Sequence, residues 1–170
     1  MTKSTHPIDQ LIRDLLTDPR AATDEEIAAI IARLMSAPFS EQVVRVPQRY
    51  RGLRYGGSSL SSRERSLRLH LIVRVVADEQ WAEDTTEESY LDDLRAAVRD
   101  PAARLVLYRR RGGAIAAILT ANQIPQERRG AAALPLLYVI YAVDHSTIIS
   151  GYQVSDSSTI DIPGDARWLK

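Results

Sequence analysis

Apolar residues in the first forty positions recur every three or four residues, which predicts two amphipathic helices. The first begins near Pro7, a residue favoured at a helix start, and ends at Asp18, because a residue that precedes proline disfavours the α region. Thr23 and Glu26 form a capping-box pattern that opens the second helix. We therefore expect a helical hairpin over residues 7–36, whose apolar stripes bury against the rest of the chain or against a second copy.

The stretch 68–76 is rich in β-branched residues, which predicts a strand. On a strand, Arg68, His70 and Arg74 share one face, because successive side chains alternate. If the stretch is helical instead, His70 and Arg74 still share a face, because they are four residues apart. Either structure places an imidazole beside a guanidinium, an arrangement suited to binding phosphate.

Further along the chain, a second capping-box pattern at Thr85 and Glu88 predicts a helix that ends at Asp100. The apolar period then changes to two, which predicts four strands, at 104–109, 114–120, 136–143 and 147–154. Residues 42–46 are consistent with an additional short strand. The fold class is therefore α+β, with an N-terminal helical hairpin followed by a helix and a four-stranded antiparallel sheet that carries the helices on one face.

Composition divides the chain into four segments. Residues 1–46 hold the helical hairpin and the short strand, 47–62 form a basic linker of Gly, Ser, Arg and Tyr, 63–154 form the α+β domain, and 155–170 form a polar tail. The linker composition is typical either of a solvated connection or of a segment that binds single-stranded nucleic acid. In the tail, Trp168-Leu169 is the pair suited to docking back onto the domain.

The net charge of zero conceals a segregated pattern of charge. Residues 45–74 contain eight arginines and one glutamate, and residues 104–129 contain six arginines and one glutamate. Between them, residues 78–100 contain nine acidic side chains and two arginines. Arginine suits bidentate contacts with phosphate, although a GC-rich genome would also favour arginine over lysine.

Several function classes are excluded by what the sequence lacks. Without cysteine there is no disulfide framework and no thiolate metal site. No apolar run is long enough to cross a membrane, and residues 1–20 do not have the pattern of a signal peptide, so we expect a cytoplasmic location and no membrane partner. There is no phosphate-binding loop or dinucleotide fingerprint, and the three histidines lack metal-ligand spacing. We expect no metal and no cofactor.

A set of side chains suited to metal-free RNA cleavage remains. Ser150 and Tyr152 share one face of the last predicted strand. Together with His70 and Arg74, they supply a group that transfers protons near neutral pH, a cation that stabilises charge, and hydroxyls that hold or protonate an oxygen. Each also has a structural alternative: a hydrogen-bonded histidine, an arginine paired with the acids of 78–93, a small residue beside a glycine, and a packed sheet aromatic.

The order of these features resembles the small bacterial ribonuclease toxins of the barnase–EndoU–colicin–RelE class. The resemblance covers residues 66–154 and consists of a histidine followed by an arginine, a Trp- and Thr-rich lead into a helix with a Tyr-Leu start, Asp-Pro, a hairpin with Arg-Gly-Gly, a hydrophobic strand and a closing Ile-Ser-Gly-Tyr. It implies helices followed by a four-stranded antiparallel sheet. It also implies a metal-independent ribonuclease that cleaves RNA by transesterification through the 2′-hydroxyl.

The resemblance assigns roles to seven residues. The catalytic set is His70, Arg74, Ser150 and Tyr152. The substrate-binding set is Arg68, Arg109 and Arg111. The implied partners are RNA and an antitoxin or immunity protein, and residues 7–36 offer a homodimer surface. The alternative is a non-catalytic nucleic-acid-binding or protein-interaction module of a toxin–antitoxin or phage-related system.

Overall fold

The computed structural model describes residues 6–18, 20–42, 44 and 61–170, and within them the fold is α+β, as predicted. The α-helices in this part of the chain are α1 (Pro7–Thr17), α2 (Asp24–Ser36), α3 (Ser62–Ile72) and α4 (Glu87–Arg99). The strands are β1 (Arg104–Arg110), β2 (Gly113–Ala121), β3 (Leu136–Ala142), β4 (Thr147–Val154) and β5 (Arg167–Trp168).

The two N-terminal helices lie where the sequence predicts them. Pro7 is the first residue of α1, and Thr23 and Glu26 form the complete capping box at the start of α2. The apolar stripes of both helices are buried in the same core as the sheet, through Ile12, Leu15, Ile30 and Leu34. The homodimer through residues 7–36 stays a prediction.

The start of α4 differs from the prediction by one residue. Its N-cap is Thr86, whose hydroxyl accepts a hydrogen bond from the backbone N–H of Ser89. The capping box predicted at Thr85 and Glu88 is therefore wrong. The Thr85 hydroxyl is buried instead, without a hydrogen-bond partner among the described residues.

The sheet is antiparallel with the strand order β4-β3-β2-β1-β5. Its first four strands are the predicted meander. The fifth comes from the tail, where Trp168 pairs with Val106 and the Leu169 N–H donates to the Leu105 carbonyl at 2.8 Å. The β1–β2 turn contains two residues with positive φ, Arg111 at 53° and Gly112 at 80°, as a two-residue hairpin turn requires.

Two apolar layers hold the sheet. One face packs against the helices, as predicted, with side chains such as Leu107, Val139 and Tyr141 in the main core. The opposite face carries a second cluster, to which the tail contributes Ile160 and Ile162. The tail therefore contributes to the core as well as to the sheet.

The strand predicted at 68–76 is wrong, because this stretch is helical. Ser61 caps α3 by accepting a hydrogen bond from the Glu64 N–H at 3.2 Å, and α3 continues into a π-helical turn at Val73–Ala77. Leu67, Leu71 and Val75 then lie on one side of the helix, because they are four residues apart, and pack into the main core. The β-branched residues at 72–76 are thus tolerated because tertiary packing outweighs their local preference.

Some predictions fall on residues that the structure does not describe, and others are tested only within the described residues. Position 43 and the range 45–60 lie outside them, and these include most of the predicted short strand at 42–46 and of the linker at 47–62. Among the described residues, no helix has both the length and the hydropathy that a membrane crossing needs. The same residues contain no group of three or more His, Asp or Glu side chains placed to hold a metal ion.

Candidate functional site

Three of the four residues predicted to be catalytic lie together beside β4. Arg74, in the π-helical turn, donates from Nε to the Gly151 carbonyl at 3.1 Å and from Nη2 to Ser150 Oγ at 3.1 Å. Its Nη1 binds Asp78 Oδ2 at 2.5 Å. The guanidinium carbon lies 5.2 Å from the centre of the Tyr152 ring, a cation–π distance.

These contacts cover the exposed edge of the sheet. β4 is the terminal strand, so its outward backbone groups would otherwise be unpaired. The Gly151 carbonyl also accepts from Tyr90 Oη at 2.6 Å. The Gln80 side chain pairs with both backbone groups of Gln153, at 3.0 and 2.8 Å. Two alternatives from the sequence therefore hold: Arg74 pairs with an acid of 78–93, and Tyr152 packs in the sheet.

His70 is buried and lies one helical turn before Arg74. Its ring is 3% exposed, meets the Phe39 ring edge-on at 4.9 Å, and has no partner at hydrogen-bonding geometry among the described residues. Burial lowers its pKa to about 4; the charge of Arg74 adds to this effect and the Gln42 backbone opposes it. At neutral pH the imidazole is therefore uncharged, so it is not the imidazolium that a general acid requires.

The three arginines predicted to bind substrate differ in their contacts. Arg68 forms an ion pair with Glu87, and Arg109 donates to the Thr17 hydroxyl at 3.1 Å. Arg111, at the β1–β2 turn, is exposed and forms no ion pair within the described part of the chain. Of the three, Arg111 is the one with neither an ion pair nor a hydrogen bond among the described residues, so all of its donors are available for a ligand.

An open cavity of about 630 Å³ lies at the end of the sheet where the β1–β2 and β3–β4 turns meet. Its polar lining comes from Gln42, Arg110, Arg111, Asp144 and His145, and the β1–β2 turn adds Gly112 and Gly113. Its apolar lining comes from Ala114, Ile115, Ala142 and Ile149. The cavity thus combines cations with an apolar wall.

Sequence reasoning missed His145 and Arg110. His145 lacks the spacing of a metal ligand, and metal binding was the role for which the histidines were compared. The signal that could have found both is topological: in an antiparallel meander, the Arg-Arg-Arg-Gly-Gly turn and the Asp-His-Ser turn lie at the same end of the sheet.

A second cavity, of about 470 Å³, continues the first. The two share Gln42 and His145, and the second reaches Arg63 near the start of α3. Arg63 lies 3.6 Å from Glu41, and both side chains are exposed, so this ion pair is weakly held. The concave surface therefore extends from the β1–β2 turn to α3 with cationic side chains along it.

This surface combines exposed arginines with an apolar wall, and the described residues contain no group of three or more His, Asp or Glu side chains placed to hold a metal ion. The resemblance to ribonuclease toxins stays a prediction, since it rests on the order of sequence features. No family model matches the chain, and neither a curated protein nor a solved structure matches it.

Proposed function

We propose that the protein binds single-stranded RNA without cleaving it, through the cavity between the β1–β2 and β3–β4 turns. The observation that carries the proposal is that Arg110 and Arg111 are exposed at this cavity and pair with no carboxylate among the described residues. Arginines that are not neutralised by the protein are available for phosphate, which they bind with two parallel hydrogen bonds.

The charge of the cavity supports an anionic ligand. Asp144 is the one acidic side chain among its described lining residues, and Arg13 donates to it at 3.0 Å. The two arginines at the β1–β2 turn are therefore not opposed by a free carboxylate. His145, on the facing turn, adds a hydrogen-bonding ring at the same end of the sheet.

The shape of the surface supports a strand of several nucleotides. The apolar wall around Ile115 and Ile149 offers contact area to a base or a sugar. A base can reach this wall only when it is unstacked, as in single-stranded RNA. The second cavity continues the surface toward Arg63, where a phosphate would compete with Glu41 for the guanidinium, since that ion pair is exposed and weakly held. RNA is the ligand that the sequence resemblance implies.

Binding of a labelled, mixed-sequence single-stranded RNA, measured by fluorescence anisotropy across salt concentrations, tests the proposal. We expect the logarithm of affinity to fall linearly with the logarithm of salt concentration. The double variant Arg110→Ala/Arg111→Ala should flatten that slope by roughly 0.7 per lost phosphate contact. Arg99→Ala, at an exposed arginine on the last turn of α4, is the matched control. Wild-type protein that does not bind at low salt, or a double variant that binds like the control, would reject the proposal.

Ribonuclease activity is the second candidate function, favoured by the convergence of Arg74, Ser150 and Tyr152. Against it, Arg74 is committed to the β4 edge and His70 is buried. Incubation with labelled RNA, followed by detection of 2′,3′-cyclic phosphate ends, tests this candidate. Cleavage products that disappear with His70→Ala would support the predicted catalytic set. RNA that stays intact would reject ribonuclease activity and leave binding as the remaining proposal. An antitoxin or immunity partner and a cytoplasmic location stay predictions.

A further inference from the structure

Helix α1 holds both ends of the short turn that carries His145. Asp9, which is fully buried, accepts hydrogen bonds from Ser146 Oγ at 2.5 Å and from Tyr141 Oη at 2.7 Å. One helical turn later, Arg13 donates to Asp144 at 3.0 Å. Ser146 adopts the left-handed conformation, with φ of 54°, which non-glycine residues rarely do, and its contact to Asp9 helps to hold the turn in that conformation.

Asp144, in the β3–β4 turn, lies against the β1–β2 hairpin on the other side of the cavity. Its Oδ2 is 3.2 Å from the position that a Cβ atom on Gly113 would occupy, so the carboxylate touches the β1–β2 hairpin that carries Arg110 and Arg111. A carboxylate at this position has two ways to oppose an anionic ligand. It repels phosphate, and it competes for the guanidinium groups that would bind phosphate.

We propose that Arg13 sets the charge of the cavity: by neutralising Asp144 from α1, it keeps Arg110 and Arg111 available for the phosphates of the RNA. This inference rests on the proposed function and names the residue pair that controls the same site. Arg13 is a positioning residue, since it acts through Asp144 and does not line the cavity. The N-terminal hairpin is then part of the binding site's electrostatics as well as part of the core.

A double-mutant cycle tests this role with Arg13→Gln, Asp144→Asn and the double variant, in the same anisotropy assay. Arg13→Gln should weaken RNA binding by at least about threefold, the effect of a unit charge about 6 Å from a phosphate in bulk water, whereas Asp144→Asn should change affinity less, because Arg13 already neutralises that carboxylate. The double variant should bind like Asp144→Asn, because Arg13 then has no carboxylate to neutralise, and effects that simply add would show that Arg13 does not act through Asp144. Melting temperatures of all four proteins separate charge from folding.

The outcomes distinguish the two proposals. If wild type binds and the Arg110→Ala/Arg111→Ala variant does not, while Arg13→Gln weakens binding equally with and without Asp144→Asn, the role of Arg13 is rejected and the binding function stands. The same conclusion follows if Arg13→Gln lowers affinity only in proportion to its melting temperature and Asp144→Asn does not restore it. If wild type does not bind RNA at low salt, both proposals are rejected.

Discussion

Arg74 beside the β4 edge and Arg111 at the β1–β2 turn are the same residue type in opposite circumstances. Arg74 is mostly buried and uses all three of its nitrogens on Gly151, Ser150 and Asp78. Arg111 is exposed and forms no ion pair or hydrogen bond among the described residues. The comparison shows that closeness to other reactive side chains does not make a site. A site also needs groups whose bonding capacity the protein has left unused.

The surroundings of the two arginines follow the same division. At the β4 edge, Gln80 and Tyr90 complete the hydrogen bonding of the backbone that Arg74 begins, so a substrate would have to displace structural contacts. At the turn end, the cavity is open and its one acidic lining residue, Asp144, already has a partner in Arg13. The edge therefore contributes stability, and the turn end is available for binding.

The largest expected effect is the stability loss from Arg74→Met. Methionine keeps an apolar stem but loses three hydrogen bonds and the contact with the Tyr152 ring, at about 3–4 kcal/mol in the free energy of unfolding. Arg111→Met, measured by the same urea denaturation, should change that free energy by less than about 0.5 kcal/mol. Equal losses of unfolding free energy in the two variants would contradict the distinction between Arg74, whose nitrogens bind within the protein, and Arg111, whose nitrogens are available to a ligand.

The next largest effect is a pH dependence of the free energy of unfolding, which arises from His70, one helical turn before Arg74. The pKa of His70 is lowered from 6.5 to about 4 in the folded chain, mainly by burial. Between these values the unfolded chain binds the proton and the folded chain does not, so stability falls as the pH falls through this window. His70→Leu should remove a slope of about 1.4 kcal/mol per pH unit, or about 2–3 kcal/mol between pH 7 and pH 4.

The control for this pH effect is His145→Leu, because His145 is exposed at the turn end. Urea denaturation at several pH values should give parallel curves for this variant and for wild type. A slope that persists in His70→Leu would show that the buried histidine is not its source.

Much of the fold follows from local patterns that the sequence displays. The helices at 7–17 and 24–36 and the four meander strands have strong periodicity and clear end signals, so their positions are predicted to within two residues. For the helix at 62–72 the strand is the first prediction, because the β-branched residues at 72–76 favour one locally, and the helix is only the alternative for 68–76. The two-residue strand β5 was missed because only long-range pairing with β1 defines it.

The candidate site shows where sequence reasoning ends. The pairing of Arg74 with Ser150 and Tyr152 could be anticipated, because it joins residues of unusual chemistry. Whether those residues serve structure or binding depends on the edge position of β4 and on the contacts of Gln80 and Tyr90. Local sequence patterns reveal neither of these. Local patterns do not select His145 and Arg110; only the meander topology, which places their two turns at the same end of the sheet, indicates the cavity that they line.

The smallest expected effect compares one glycine from each region. A Cβ on Gly151 would lie 2.3 Å from Leu94 Cδ2, so Gly151→Ala forces α4 away from β4 and lengthens the bonds that Arg74 and Tyr90 make to the Gly151 carbonyl. We expect a loss of about 2 kcal/mol in the free energy of unfolding, typical of overpacking.

At the turn end, the tightest contact of Gly113→Ala would be with Asp144 Oδ2, at 3.2 Å, and the next, with the Arg110 carbonyl at 3.5 Å, is an ordinary van der Waals distance. A flexible carboxylate can yield by a few tenths of an ångström, so stability should change by less than about 0.5 kcal/mol. Because the displaced carboxylate moves within the cavity, RNA affinity should change in Gly113→Ala and stay unchanged in Gly151→Ala. Urea denaturation and anisotropy on the two variants measure both halves of this contrast. The reverse result, with affinity sensitive to Gly151 and not to Gly113, would move the binding site to the β4 edge.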